Sequence, residues 1–117
     1  MKTRALLFRS FGQLADRELA VLQQGVEEAL EEALGGGGDV DLKDGVLSIV
    51  LPDSKSYVLN KQTPNEQIWW SSPISGPKRY AQQTDGTWKC VRTGSELRLD
   101  LQNELKTLLG TNVKFRD

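Results

Sequence analysis

NKQTPNEQIWWSSPISGPKRY, residues 60–80 of the 117-residue chain, places two adjacent tryptophans among amides, turn residues and basic side chains. Neighbouring side chains of a β-strand point to opposite faces of its sheet. If QIWWSS at residues 67–72 is a strand, Ile68 and Trp70 share the core face and Trp69 points away from it. The pattern therefore predicts a sheet that buries one face and leaves a tryptophan on the other.

The same alternation continues on both sides of this block. Further strands are predicted around Val40 and Leu42 and at residues 46–51, 57–62, 78–83 and 87–92. Asp44-Gly45 and Asp85-Gly86 are hairpin signals, so the sheet should be mostly antiparallel. The side chains expected to point outward around Trp69 are Asn60, Gln67, Arg79 and Lys89.

A helix is predicted before the strands and another after them. In residues 11–34 the apolar side chains recur near a 3.6-residue period, at Leu14, Leu19, Leu22, Val26, Leu30 and Ala33. Gly25 is a weak point in this helix, costing about 1 kcal/mol relative to alanine. Gly94 and Ser95 precede the second helix, whose apolar side is formed by Leu97, Leu101, Leu105 and Leu108.

Two terminal helices can cover only one face of such a sheet. The predicted fold is therefore α+β, a two-layer α/β sandwich with both helices on one face of a sheet of about six strands. We divide the chain into a basic lead-in at residues 1–10 and a single domain at residues 11–117. The lead-in is either a frayed start to the helix or the remnant of a mitochondrial transit peptide.

Composition excludes several kinds of site. The chain has no histidine and a single cysteine, Cys90, which removes the commonest general base, internal disulfides and cysteine-based zinc cages. The net charge of −1 argues against nucleic-acid binding, and no apolar run approaches the ~20 residues that span a bilayer. The charge is segregated, however, with an acidic region at residues 11–44 and a mildly basic one at residues 55–92.

Each charged or aromatic surface has two interpretations. Trp69 is either a surface aromatic packed by its neighbours or the centre of a partner-docking surface, since tryptophan and arginine are enriched at binding hot spots. The acidic helix is either a solvated face or a weak metal ridge, because clustered carboxylates suit magnesium, calcium, manganese and ferrous iron. The candidate metal ligands are Asp16, Glu27, Glu28, Glu31, Glu32, Asp39 and Asp41.

The block at residues 60–80 resembles the signature of the frataxin family in its eukaryotic, mitochondrial form. DGVLSIVLPD before it and GTWKC after it are similar to the flanking strands of that family, and the resemblance covers residues 11–109. It implies a mitochondrial matrix protein that binds ferrous and ferric iron weakly through the acidic ridge. The family's functional positions on the sheet surface correspond to Asn60, Gln67, Trp69 and Arg79. Those on the acidic ridge correspond to Asp16, Glu27, Glu28, Glu31 and Asp39.

The resemblance also implies partners, namely a cysteine desulfurase and the scaffold protein on which iron–sulfur clusters are assembled. We expect a monomeric, non-enzymatic activator that docks on this complex, with metal-dependent oligomers as a further state. The alternative is an iron chaperone, storage protein or ferroxidase that acts through the ridge, where other divalent metals could replace iron. The tail TNVKFRD is short for the family, in which longer tails pack between the helices, so we predict moderate stability.

Overall fold

The computed structural model describes residues 10–117, in which a helix, six strands and a second helix follow one another. The bounds are α1 Phe11–Leu34, β1 Asp39–Lys43, β2 Val46–Val50, β3 Ser56–Gln62, β4 Gln67–Ser72, β5 Gly76–Gln82, β6 Trp88–Cys90 and α2 Leu97–Leu109, with a 3-10 turn at Thr63–Asn65. Apart from Ser10, the proposed lead-in lies outside the described residues. Within residues 10–117, neither helix combines the length and apolarity needed to cross a membrane.

Every strand pairs antiparallel with the next strand in the chain, giving one sheet in the order β1-β2-β3-β4-β5-β6. Both helices pack on the same face, so the predicted fold class is confirmed. Several strand bounds differ from the prediction by one or two residues. β5 begins earlier, at Gly76, and β6 ends at Cys90 because the chain turns directly after it.

The core lies between this sheet face and the helices. The alternation of side chains along the strands predicts correctly which strand residues face it. The inward apolar side chains of β2 to β6 are buried, including Tyr57, Ile68, Trp70 and Tyr80, and Val40 and Leu42 of β1 are half-buried against the core. The outward ones are exposed, as Ser56 and Val58 are on β3, or half-buried, as Gln67 and Trp69 are on β4. On α1 the predicted apolar residues lie on the core side, except Ala33, which is exposed in the last turn of the helix.

Two buried tyrosines fasten α2 to the sheet. Tyr57 donates a hydrogen bond of 2.9 Å to Oε1 of Glu104, and Tyr80 donates one of 2.6 Å to Oδ2 of Asp100. Ser72 and Ser75 also donate to Glu104. Hydrogen bonds from these donors therefore offset the free-energy cost of removing each carboxylate from water. A buried acid can stabilise a structure only when its oxygens are hydrogen-bonded in this way.

A second polar link joins the two helices. Arg98 of α2 donates two hydrogen bonds of 2.8 Å to the carboxylate of Glu18 on α1. Glu18 is only 5% exposed. Arg98 also pairs with Asp117 at 2.6 Å. The hydrogen bonds that Arg98 donates to Glu18 and Asp117 raise its pKa further above the ordinary value. The guanidinium thus ties both helices and the tail together as a permanent cation.

The tail packs on both helices although it is short. Val113 is buried, its carbonyl accepts a hydrogen bond from the Gln102 side chain, and Phe115 contacts the core. At Gly25, an added Cβ would lie 2.4 Å from the Phe115 ring and 2.6 Å from the carbonyl oxygen of Lys114. The glycine that weakens α1 locally is therefore the residue that lets the tail approach it.

We expect Gly25→Ala to destabilise the protein by about 2 kcal/mol, because the new methyl group must displace the tail. Gly12→Ala is the matched control in the same helix, since the nearest atom there would be 3.8 Å away. Its better helix propensity should stabilise the protein by up to about 1 kcal/mol. Urea unfolding of both variants gives the two free energies. Equal stabilisation at the two positions would show that the tail does not pack on α1.

The free energy of unfolding is expected to fall as the pH rises above the ordinary tyrosine pKa of 10.0. Burial, and then the hydrogen bond to a carboxylate, raises the pKa of Tyr57 and of Tyr80 above that value. The folded protein then keeps two protons that the unfolded chain loses. Stability should decline by about 1.4 kcal/mol per pH unit for each tyrosine.

Unfolding measured between about pH 9 and about pH 11 gives the change in unfolding free energy with pH. In Tyr80→Phe this decline should be smaller by the contribution of one tyrosine, about 1.4 kcal/mol per pH unit. Lysines also titrate in this range, so the difference between the variant and the parent chain is the decisive quantity. Identical slopes for the two proteins would contradict the assignment.

Candidate functional site

The outer sheet face carries a row of side chains that the strand register aligns. Asn60 on β3 lies opposite Trp69 on β4, and Trp69 lies opposite Arg79 on β5. Val46 on β2 lies opposite Asn60. The row reaches Val91 just after β6, where the Val91 amide donates to the Arg79 carbonyl at 2.9 Å. Antiparallel pairing thus brings residues far apart in sequence into one line.

Trp69 is held in a fixed orientation at the centre of this row. The Arg79 guanidinium lies 4.5 Å from the centre of the indole ring, within the range of a cation–π interaction. The indole N–H donates a 2.9 Å hydrogen bond to Oε1 of Gln67. A large side chain that is already ordered loses little conformational entropy when a partner covers it.

All five predicted sheet residues lie on this outer face, although their role as partner contacts stays a prediction. Asn60 is half-buried and donates to the Gln62 side chain at 3.2 Å. Lys89 on β6 lies opposite Ala81, which in turn lies opposite Gln67, so these residues form a second row beside the first. The two rows together present one aromatic, amides and two cations.

Exposed valines extend the face beyond what the sequence reasoning singled out. Val46, Val50 and Val58 are 38%, 39% and 41% exposed. Val46 and Val50 have outward positions on β2, and Val58 lies opposite Ser71 of β4. Their alternation with buried Leu47 and Ile49 was the signal that could have found them. Apolar area beside an ordered tryptophan is typical of a protein-docking surface.

The structure brings only some of the predicted acidic ligands together. Glu27, Glu31 and Asp39 line an open cavity of about 240 Å³, which the glycine segment at residues 36–38 completes. The backbone at Gly36 passes so close that an added Cβ would lie 3.0 Å from Oε2 of Glu31. We call Glu27, Glu31 and Asp39 the acidic stripe. Their exposed carboxylate oxygens are hard ligands that fit a weakly held divalent cation.

The other four predicted ligands lie elsewhere. Glu28 and Glu32 line a small cavity of about 70 Å³ together with Lys114 and Arg116 of the tail. Asp16 forms a 2.9 Å ion pair with Lys61, and Asp41 is exposed on β1 opposite Ser48. In the part of the chain that the structure describes, no three acidic or cysteine side chains are arranged to hold a metal ion. Any cation must therefore draw exposed carboxylates together.

Comparison with known proteins adds to this geometry. The profile of the frataxin-like domain family matches residues 5–111. The mitochondrial frataxin of Dictyostelium discoideum is 41% identical over 84% of this chain and 51% of its own length. That of Arabidopsis thaliana is 38% identical over 90% of this chain and 57% of its own length. The chain thus spans about half the length of these relatives.

A solved structure gives the same result. Trimeric frataxin from Saccharomyces cerevisiae, crystallised in complex with ferrous iron, superposes with a TM-score of 0.73. It is 38% identical, over 84% of this chain and 87% of the yeast chain. The curated relatives are named mitochondrial proteins, which confirms the predicted mitochondrial location.

Proposed function

The chain belongs to the frataxin family, and from this we propose that it activates iron–sulfur cluster assembly by docking on a complex of a cysteine desulfurase with its scaffold protein. The resemblance found at residues 60–80 is confirmed by the family match. We place the activity in the mitochondrial matrix. The protein would act as a monomer without catalysing a reaction of its own, and no nucleic acid or membrane takes part.

The ordered Trp69 on an uncovered sheet face carries this proposal. Trp69 is stacked on Arg79 and hydrogen-bonded to Gln67, so its orientation is set before any partner arrives. The flanking Asn60 and Lys89 supply polar contacts at the same face. An aromatic anchor within a polar and basic rim is the usual composition of an interface hot spot.

Activation would follow from differential binding. A docked protein shifts its partner towards the conformation that it binds more tightly. The sheet face would contact the assembly around Trp69, and the acidic stripe would meet a basic surface on the desulfurase. Because the stripe lies at the end of α1 and the start of β1, one partner can contact both surfaces only by reaching around the edge of the sheet.

Iron binding at the acidic stripe is the second candidate function. The yeast relative was crystallised with ferrous iron, and Glu27, Glu31 and Asp39 are placed to attract such a cation. We propose that iron is a weakly held cargo, that other divalent metals can replace it, and that metal-dependent oligomers form at high loading. Ferroxidase chemistry needs two irons in a defined geometry, which an exposed stripe is poorly suited to supply.

Trp69→Ala should abolish most of the acceleration of cluster formation by a purified desulfurase and scaffold. Truncating a central aromatic anchor commonly costs 2 kcal/mol or more of binding free energy, so affinity should weaken by about thirtyfold. Sulfide production and cluster turnover, measured with and without the protein, report the effect.

Leu99→Ala is the matched control for the tryptophan variant. Leu99 is a large apolar residue, 53% exposed, on α2 and therefore on the helical side of the molecule. It should activate normally, while thermal unfolding verifies that both variants are folded. If the parent protein does not accelerate turnover, or if Trp69→Ala works as well as the parent, the docking proposal fails and iron handling becomes the leading function.

Glu27→Gln combined with Glu31→Gln should weaken ferrous iron binding about tenfold or more, because it removes two of the three carboxylates of the acidic stripe. Glu28→Gln combined with Glu32→Gln removes the same charge from the same helix, beside the basic tail, and should have a much smaller effect. Anaerobic calorimetric titration compares the two variants. Equal losses would indicate a diffuse acidic surface with no preferred site.

A further inference from the structure

A cavity of about 480 Å³ opens at the edge of the sheet where β5 meets the turn after β6. We call it the β5–β6 groove and define it by Pro77, Lys78, Arg79, Val91 and Arg92, with Cys90 also in its wall. Among the described residues 10–117, those that line it include no acid. The groove therefore lies at the edge of the sheet, and it adjoins the row that contains Trp69 through Arg79.

The groove is positively charged, and two of its cations are available to a ligand. In the described part of the chain, Arg79 and Arg92 form no ion pair, and Arg79 is engaged only by stacking on Trp69. Lys78 is less available to a ligand, since its Nζ already forms an ion pair with Oδ2 of Asp100 at 3.5 Å. The two unpaired arginines, with Lys78 beside them, favour a negatively charged occupant.

The groove also offers apolar surface. Val91 is 56% exposed, the largest fraction among the exposed large hydrophobic residues, and Pro77 beside it is exposed as well. A small inorganic anion would leave both of these side chains uncovered. A peptide segment with carboxylates next to an apolar side chain would use the cations and the apolar surface together.

Arg79 connects the groove to the docking face. Its guanidinium lies over the Trp69 ring, and the same residue lines the groove. A partner that covers Trp69 therefore lies next to the groove, within reach of Val91 and Arg92. We propose that the β5–β6 groove binds an acidic segment of the desulfurase–scaffold assembly, anchored by an apolar side chain on Pro77 and Val91. This inference rests on the proposed function and identifies the chemistry of the partner.

Arg92→Glu tests the groove without touching Trp69 or Arg79. It should weaken binding to the purified desulfurase–scaffold complex about tenfold, and the loss should shrink as salt is raised, because charge attraction at an interface is screened. Lys106→Glu is the control, with the same change in net charge at an exposed position on α2. It should leave affinity within about twofold of the parent chain, and thermal unfolding verifies that both variants fold.

Val91→Ser tests the apolar half of the proposal separately. It should weaken the same affinity by about threefold to tenfold without altering the salt dependence, since it removes apolar contact and no charge. A salt-dependent loss with Arg92→Glu and none with Val91→Ser would overturn the apolar anchor and leave only general electrostatic attraction.

The outcomes distinguish this inference from the proposed function. If Trp69→Ala loses activation while Arg92→Glu and Val91→Ser bind as the parent chain does, the groove proposal is overturned and the docking proposal stands. If the parent chain does not bind the complex, both proposals are overturned.

The alternative that the groove binds a small anion is tested by titrating citrate into the free protein. Nuclear magnetic resonance then follows the backbone amide signals of Val91 and Thr93. Submillimolar citrate binding with unchanged partner affinity in Arg92→Glu would assign the groove to small anions.

Discussion

Covering only one face of a six-stranded sheet is the constraint from which the rest of this structure follows. Two helices, one at each end of the domain, shield the inner face, so most inward strand residues are apolar and the outward ones must tolerate water. This requirement separates Trp70, which is 2% exposed, from Trp69 beside it. It also explains why the core tyrosines need carboxylates on α2, since their hydroxyl groups are directed into the interior of the sandwich. The inward Lys61 and Lys78 are accommodated by ion pairs with acids of the helices.

The two layers separate the two surfaces proposed for function. The outer sheet face contributes an ordered aromatic, cations and apolar side chains, whereas the acidic stripe combines two carboxylates at the end of α1 with Asp39 at the start of β1. Since the surfaces share no side chain, each can be altered without directly changing the other. Stability depends on a third set of residues, the links from Glu18, Asp100 and Glu104 that lie inside the sandwich.

Sequence periodicity predicted what depends on local geometry and missed what depends on distant contacts. The alternation placed Asn60, Trp69 and Arg79 on one face because strand geometry alone determines it. It gave no indication that Phe115 packs on Gly25, ninety positions earlier in the chain. For the same reason, the sequence predicts one ridge from the acids of α1, whereas in the structure Glu28 and Glu32 lie beside basic residues of the tail and Glu27 and Glu31 do not.

The edges of the sheet have a consequence of their own. An uncovered sheet with apolar patches is at risk of pairing edge to edge with other molecules and of growing into fibrils. β1, the first strand in the sheet order, carries Asp39, Asp41 and Lys43 at its outward positions. β6, at the opposite edge, is only three residues long. The charges on β1 and the short length of β6 both disfavour such pairing, so the face proposed for docking can stay exposed at a lower risk of aggregation.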